Sequence, residues 1–162
     1  MTELELYETA YSLFNYVDGV LINRCTHGRA IKGKVAGRLS QYGYRRIKIG
    51  NKTYTAHGII YLMHHGYTPI YIDHINGIRD DNRIENLREA TLSQNQYNRK
   101  KNKTNTSGEK GVTFCKKLNK WRVRFNIEGK AVSFGYYEDL ELASLVATEA
   151  RDKYHKEFAN HG

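Results

Sequence analysis

The sequence predicts an α+β fold in two modules, and three observations carry that expectation. Residues 71–98 run strand, strand, helix in one short stretch. Residues 111–158 repeat the theme as three strands and a helix, and residues 99–110, RKKNKTNTSGEK, hold no apolar side chain between them. The first module is expected to span residues 1–98, a basic linker residues 99–110, and the second module residues 111–162. A chain of 162 residues with 40% hydrophobic content suffices for one ordinary domain or two modules with modest cores.

Residues 4–14, LELYETAYSLF, have weak apolar periodicity and fit either a short helix or a strand. Tyr16 to Ile22 then places two short strands around Asp18-Gly19, a strong hairpin signal. From Gly33 to Tyr54 glycines recur between short alternating stretches. Arg45, Ile47 and Ile49 oppose Arg46 and Lys48, which predicts a small, basic, antiparallel sheet. Residues 56–65, AHGIIYLMHH, carry apolar side chains at helical spacing and stop before Gly66, a helix-ending residue. Ile59, Ile60, Leu62 and Met63 are expected in the core, His57 as a buried, hydrogen-bonded imidazole, and His64 and His65 at the surface. Pro69 makes Thr68 extended and separates this helix from the next strand.

Tyr71, Ile72 and Ile75 surround Asp73 and His74 with β-favouring side chains, so the acid and the imidazole sit on or at the end of a short strand. Asn76-Gly77 supplies a turn, Asp80, Asp81 and Asn82 extend it into a polar loop, and Ile84 and Leu87 resume apolar spacing. Thr91 with Gln94 reads as a capping box, opening a helix that carries Asn95 inward and ends in basic residues.

The pattern Asp73-His74, with Asn86 twelve residues after the His and Asn95 twenty-one after it, lies within the string IDHINGIRDDNRIENLREATLSQN. It resembles the HNH endonucleases, specifically the phage homing endonucleases of that superfamily. The resemblance implies a ββα-metal fold, one divalent metal per site and hydrolysis of phosphodiesters in DNA. It also implies that Asn86 ties the hairpin together and orients His74, and that the β-rich region around Arg45, Arg46 and Lys48 meets DNA. The third position of the pattern is Asn95 where the superfamily name has His, as also occurs in the phage branch. In relatives an Arg often follows the first helical His, where Gly58 stands here.

The residue types suit that chemistry on their own terms. Phosphodiester hydrolysis needs a nucleophilic water, charge stabilisation on phosphoryl oxygens, and help for a leaving 3′ oxygen. An imidazole with a pKa of about 6.5 takes a proton from water near neutral pH, so His74 is the candidate general base. Asp73 and Asn95 offer hard oxygen donors suited to Mg²⁺ or Mn²⁺. An isolated Asp-His pair is more often a solvated turn; the flanking string, with both asparagines in register, favours an active site.

From Gly111, Lys120-Trp121-Arg122-Val123-Arg124-Phe125-Asn126-Ile127 alternates without a fault, putting Trp121, Val123, Phe125 and Ile127 on one face. Glu128-Gly129 turns the chain back into residues 130–137, and GVTFCK supplies a third strand. A helix from about Leu140 to Phe158 is expected to pack through Leu140, Ala143, Ala147, Ala150 and Tyr154. GVTF, KWRVRF, FGYY and the alanine-rich helix resemble the AP2 DNA-binding domain, an antiparallel three-stranded sheet packed on one helix, in which the sheet enters the major groove. The resemblance makes Arg122 and Arg124 the leading candidates for DNA contact, followed by Lys120 and Lys116.

The net charge of +9 is unevenly spread. Residues 24–52 carry nine Lys or Arg and no acid, and residues 99–125 carry ten against one Glu. Two such blocks flanking a phosphodiesterase centre read as tracks for a polyanion, with Arg99, Lys100 and Lys101 of the linker touching it too. The linker itself reads either as a disordered tether or as a basic strand laid along DNA. Cys25 and Cys115, ninety residues apart and outside any CxxC, are expected to be reduced and buried. No signal peptide or spanning segment is legible, so the expected location is the cytoplasm, that of the host cell if phage-encoded.

The function expected from all this is a metal-dependent, site-preferring, homing-type DNA endonuclease. It would act on double-stranded DNA as a monomer or weak dimer, without a membrane or protein partner, and nick one strand. The alternative is a DNA-binding regulator whose nuclease centre is vestigial. A nuclease for RNA or branched DNA is a further rival, disfavoured by the attached duplex-reading module and the lack of an aromatic stacking platform.

Overall fold

The computed structural model describes residues 1–102 and 104–161; Lys103 of the basic linker and Gly162 lie outside the described residues. The chain divides into two compact units, Met1–Ala90 and Thr91–Gly162.

The first unit opens with helix α1 (Glu3–Leu13), which settles the helix-or-strand alternative through its cap. Thr2 Oγ1 accepts from Glu5 N at 3.2 Å, while Thr2 N donates to the Glu5 carboxylate at 2.7 Å. Strands β1 (Phe14–Val17) and β2 (Val20–Asn23) form the expected antiparallel hairpin. Its turn residues Asp18 and Gly19 sit at φ 43° and 83°. A side chain at Gly19 is blocked on two counts, by that φ and by Arg83 N, which a Cβ would approach to 2.7 Å.

Strands β3 (Arg38–Leu39), β4 (Arg45–Ile49) and β5 (Lys52–Thr55) build a three-stranded antiparallel sheet in that order. Ile47 and Ile49 enter the core, and Arg46 and Lys48 face out. Helix α2 (Ala56–His65) is capped by Thr55, whose hydroxyl accepts from Gly58 N at 3.3 Å, and is stopped by Gly66 at φ 78°. It buries Ile59, Ile60, Tyr61, Leu62 and Met63 against Leu6, Phe14, Leu21 and the two β4 isoleucines. The same unit holds the short antiparallel pair β6 (Ile72–His74) and β7 (Leu87–Glu89), with a 3-10 turn, Ile84–Asn86, leading into β7. Leu87 is buried in that core, and Ile72 and Ile84 pack against it.

The second unit begins with helix α3 (Leu92–Tyr97), which has the expected capping box between Thr91 and Gln94. It ends before the basic run, not within it, because its C-cap is Asn98. Strands β8 (Val112–Cys115), β9 (Lys120–Ile127) and β10 (Lys130–Tyr137) form an antiparallel sheet with β9 in the middle. Helix α4 (Leu140–His155) packs Ala143, Ala147 and Ala150 against Val112, Val123 and Phe125.

The C-terminal end of α4 departs from the expected stripe. Tyr154 is exposed, and the buried positions are Arg151 and His155. Arg151 is taken in because its guanidinium finds acceptors, Nη1 on Lys110 O at 2.7 Å and Nη2 on Thr148 Oγ1 at 3.2 Å, with Glu109 3.8 Å away. His155 stacks on Tyr97, ring centroids 3.9 Å apart and 4° from parallel. The α-helix ends at His155, short of the expected Phe158, because Lys156 takes φ 51°; a 3-10 turn, Lys156–Phe158, succeeds it.

Part of the basic stretch is folded into this unit. Lys110 Nζ donates to the carbonyls of Tyr97, at 2.7 Å, of Asn160, at 3.2 Å, and of Arg99. Asn105 and Ser107 close a turn onto Glu109. The cysteines are free but not buried: Cys25 is exposed and Cys115 half-buried, since neither position faces a core. Among the described residues no helix is long and apolar enough to cross a membrane.

Candidate active site

The polar loop between β6 and β7 is held by its own side chains, which is why so short a sheet is well defined. Asn86 Oδ1 accepts from Asn76 N at 3.0 Å, and its Nδ2 donates to Asn76 Oδ1 at 3.1 Å and to Asp81 O at 2.7 Å. Gly77 N closes the turn onto His74 O at 2.8 Å. Arg83 pairs with Asp81 through two bonds, 2.8 and 2.7 Å, and Arg45 with Asp80 through two more, 3.1 and 2.8 Å.

On this frame Asp73 and His74 are both buried, 3% and 5% exposed, although neighbours on a strand point to opposite faces. Each direction has its own partner. Asp73 faces its cross-strand neighbour Arg88, which donates to Oδ2 from Nε at 2.9 Å and forms an ion pair with it, Nη2 standing 2.8 Å from the same oxygen. His74 Nε2 lies 3.0 Å from Asn82 Oδ1. Asn82 Nδ2 is turned to Asp80 O, at 3.3 Å, so the amide presents its oxygen to the ring. Nε2 therefore carries the proton and Nδ1 the lone pair. Burial holds the His74 imidazole below its ordinary pKa, partly offset by the Asn82 bond and by Asp73 and Asp81.

Two further rings pack around His74. His57 meets it edge to face, 5.1 Å between centroids and 87° between planes, and Tyr44 packs 5.4 Å from His57 and 6.1 Å from His74. The expectation of a hydrogen-bonded His57 is corrected at Nδ1. That atom is buried without a hydrogen-bond partner among the described residues, because the ring is packed among other rings. Burial, with His74 adding to it, lowers His57 to about 4, so it stays neutral. His64 and His65 are exposed.

Of the residues expected at the site, Asp73, His74 and Asn86 lie in the β6–β7 hairpin, whereas Asn95 is half-buried on α3 in the second unit. The His74 ring is anchored by Asn82, while Asn86 secures the loop that carries Asn82. Asn82, Arg88, Tyr44 and His57 were not expected as site residues. No sequence signal separates Asn82 from Asp80 and Asp81, its neighbours in the polar loop. Nothing in the sequence pairs Tyr44 with His74.

Among the described residues no group of three or more His, Cys, Asp or Glu is placed to hold a metal ion. A zinc-type cage is thus missing among them, but a hard cation needs only one or two protein oxygens alongside phosphate and water. Asp73, a buried carboxylate, has the right chemistry for one of these.

The basic residues expected on DNA differ in how committed they are. Arg46, Lys48, Arg99, Lys100, Lys101, Lys116 and Arg124 are exposed. Arg122 is half-buried, Lys120 meets Glu138 at 3.2 Å, and Arg45 is tied to Asp80.

A sequence profile of the HNH endonuclease family matches residues 54–97, which runs from β5 through α3. Protein 3.8 of Escherichia phage T7 is 37% identical over 89 residues, covering 55% of this chain and 73% of that protein. No solved structure gives a significant match.

Proposed function

The chain belongs to the same family as Protein 3.8 of Escherichia phage T7 and carries an HNH endonuclease domain, and from that premise we propose a metal-dependent, site-preferring, homing-type DNA endonuclease that nicks duplex DNA. The observation that carries the proposal is the buried His74 ring, fixed by Asn82 in the tautomer that leaves its lone pair on Nδ1. Held below its ordinary pKa, His74 is unprotonated at neutral pH and takes the proton of the attacking water at Nδ1. The resulting imidazolium keeps its Nε2–H on Asn82, and Asp73 and Asp81 offset its charge. The water oxygen bonds to phosphorus, and the bond from phosphorus to the 3′ oxygen breaks.

Asp73 and Asn95 are the proposed ligands of one Mg²⁺ or Mn²⁺. When bound, the ion supplies charge neutralisation at the phosphoryl and leaving oxygens. The C-terminal sheet is proposed to act as an AP2-like module that positions the nuclease on duplex DNA. Support for this comes from Arg124, exposed on β9 with its neighbours Val123 and Phe125 buried on the other face.

One observation favours a second reading, that of a DNA-binding regulator with a vestigial centre: the Asp73 carboxylate is already neutralised by Arg88. Incubation of phage genomic DNA with Mg²⁺ or Mn²⁺ separates the two. The nuclease reading expects nicks by the wild type, none in EDTA, and a rate lower by about 10²–10⁴-fold in His74→Ala with duplex binding retained. Tight duplex binding without cleavage in either metal is the result expected of the regulator.

A further inference from the structure

Four arginines border the β6–β7 hairpin, and three are neutralised: Arg45 by Asp80, Arg83 by Asp81 and Arg88 by Asp73. Arg79 is the exception. It is exposed, and its partners among the described residues are neutral: Nη1 donates to Tyr42 O at 2.8 Å, and Cζ stands 5.1 Å from the centroid of the Tyr44 ring. That ring is the one packed against His57 and His74. The support beneath Arg79 is stiff. Ser40 N donates to Tyr44 O at 2.8 Å and Gly43 N to Ser40 O at 2.9 Å, closing the turn between β3 and β4. The Arg79 stem lies over Gly43, where a Cβ would fall 3.7 Å from its Cδ and where φ is 82°.

A guanidinium held by a carbonyl and a π face keeps its whole charge and most of its donors for a third party. Exposed to solvent, the guanidinium keeps its charge without a counterion and stays open to an arriving anion. Through Tyr44 the guanidinium is packed one ring away from His74. An arginine fork matches two oxygens of a phosphate. We infer that Arg79 is a phosphate-binding residue that grips the non-bridging oxygens of the phosphodiester presented to His74. This rests on the reading of His74 as a hydrolytic centre. It makes Arg79 a catalytic residue, because the oxygens it holds gain charge as the water attacks.

Two measurements test it on the full-length chain, with Arg79→Met and Arg79→Lys against wild type. The first is fluorescence anisotropy of a labelled mixed-sequence duplex in EDTA over a salt series. Arg79→Met is expected to flatten the slope of log K against log salt by about 0.9, the contribution of one phosphate, and Arg79→Lys to leave it unchanged. The second is cleavage of phage genomic DNA in Mn²⁺ at saturating protein. There Arg79→Met is expected to slow cutting by about 10²-fold or more, and Arg79→Lys to recover part of the rate, having the charge without the fork. Arg79→Met cutting at the wild-type rate under saturation overturns the inference, as does an unchanged salt slope. A wild type that never cuts while the slope still falls supports Arg79 as the phosphate ligand and overturns hydrolysis at His74. Because Arg79→Lys retains the charge over Tyr44, it guards against reading a folding defect of Arg79→Met as a loss of grip.

Discussion

Asn82 is the residue on which the candidate chemistry turns. It is 1% exposed, and its side chain does two things at once: its oxygen fixes the His74 tautomer and its nitrogen fixes the oxygen. Asn82→Leu is expected to keep the hairpin, since Asn86 holds that, while slowing DNA cleavage by about 10–100-fold with duplex affinity unchanged. Asn82→Asp keeps an acceptor for Nε2 and is expected to retain most of the rate. Single-turnover cleavage and binding of all three proteins would show it; equal rates in wild type and Asn82→Leu would remove Asn82 from the machinery. The sequence displayed the asparagine but not its use. Three polar residues in a row, Asp80, Asp81 and Asn82, read alike as loop, and only the fold turns one of them inward.

At the scale of elements, α4 carries a titratable group where its periodicity predicts an apolar face. Burial, aided by Lys110 and Arg151, lowers His155 to about 4. Between about pH 6.5 and about pH 4 the unfolded imidazole binds a proton that the folded one does not, so stability is full above about pH 6.5 and falls on acidification towards about pH 4. The loss is at most about 2–3 kcal/mol. Trp121 on β9 is the only tryptophan and belongs to the same unit, so its fluorescence reports this unit's unfolding. His155→Phe preserves a ring on Tyr97 and removes the titration; urea melts at pH 7 and pH 5 are expected to differ less for it than for wild type. If both proteins lose the same stability over that interval, His155 is not the source. Elements with a strong local signal were legible in the sequence: the Thr91 capping box, the Asp18-Gly19 turn, Gly66, the alternation of β9. The end of α4 was not, because Arg151 and His155 are buried by partners remote in sequence, at Glu109, Lys110 and Tyr97.

For the whole molecule the net charge of +9 is the dominant fact, and the structure shows which part of it is uncommitted. Arg45 and Lys120 are paired with carboxylates, whereas Arg46, Lys48 and Arg124 stand exposed on sheet faces whose opposite sides are core. Arg122→Gln with Arg124→Gln is expected to weaken duplex binding and lower the salt slope by about 0.9 for each phosphate no longer held, with the cleavage rate at saturation unchanged. A fall in that saturated rate would mean that the second unit shapes the chemistry as well as the affinity. The sequence by itself determined the two successive α+β patterns, the hairpin bearing Asp73 and His74, and the basic tracks, because alternation, caps and turns are local and are written in neighbouring residues. Only the tertiary structure decided which nitrogen of His74 keeps its lone pair, that Asp73 meets Arg88, and that Tyr44 and His57 pack around the site. It also decided that, of the four arginines at the hairpin, Arg79 has only neutral partners among the described residues. Those outcomes depend on pairings between segments far apart in the chain, where burial and hydrogen-bond supply choose among polar side chains that look equivalent in sequence.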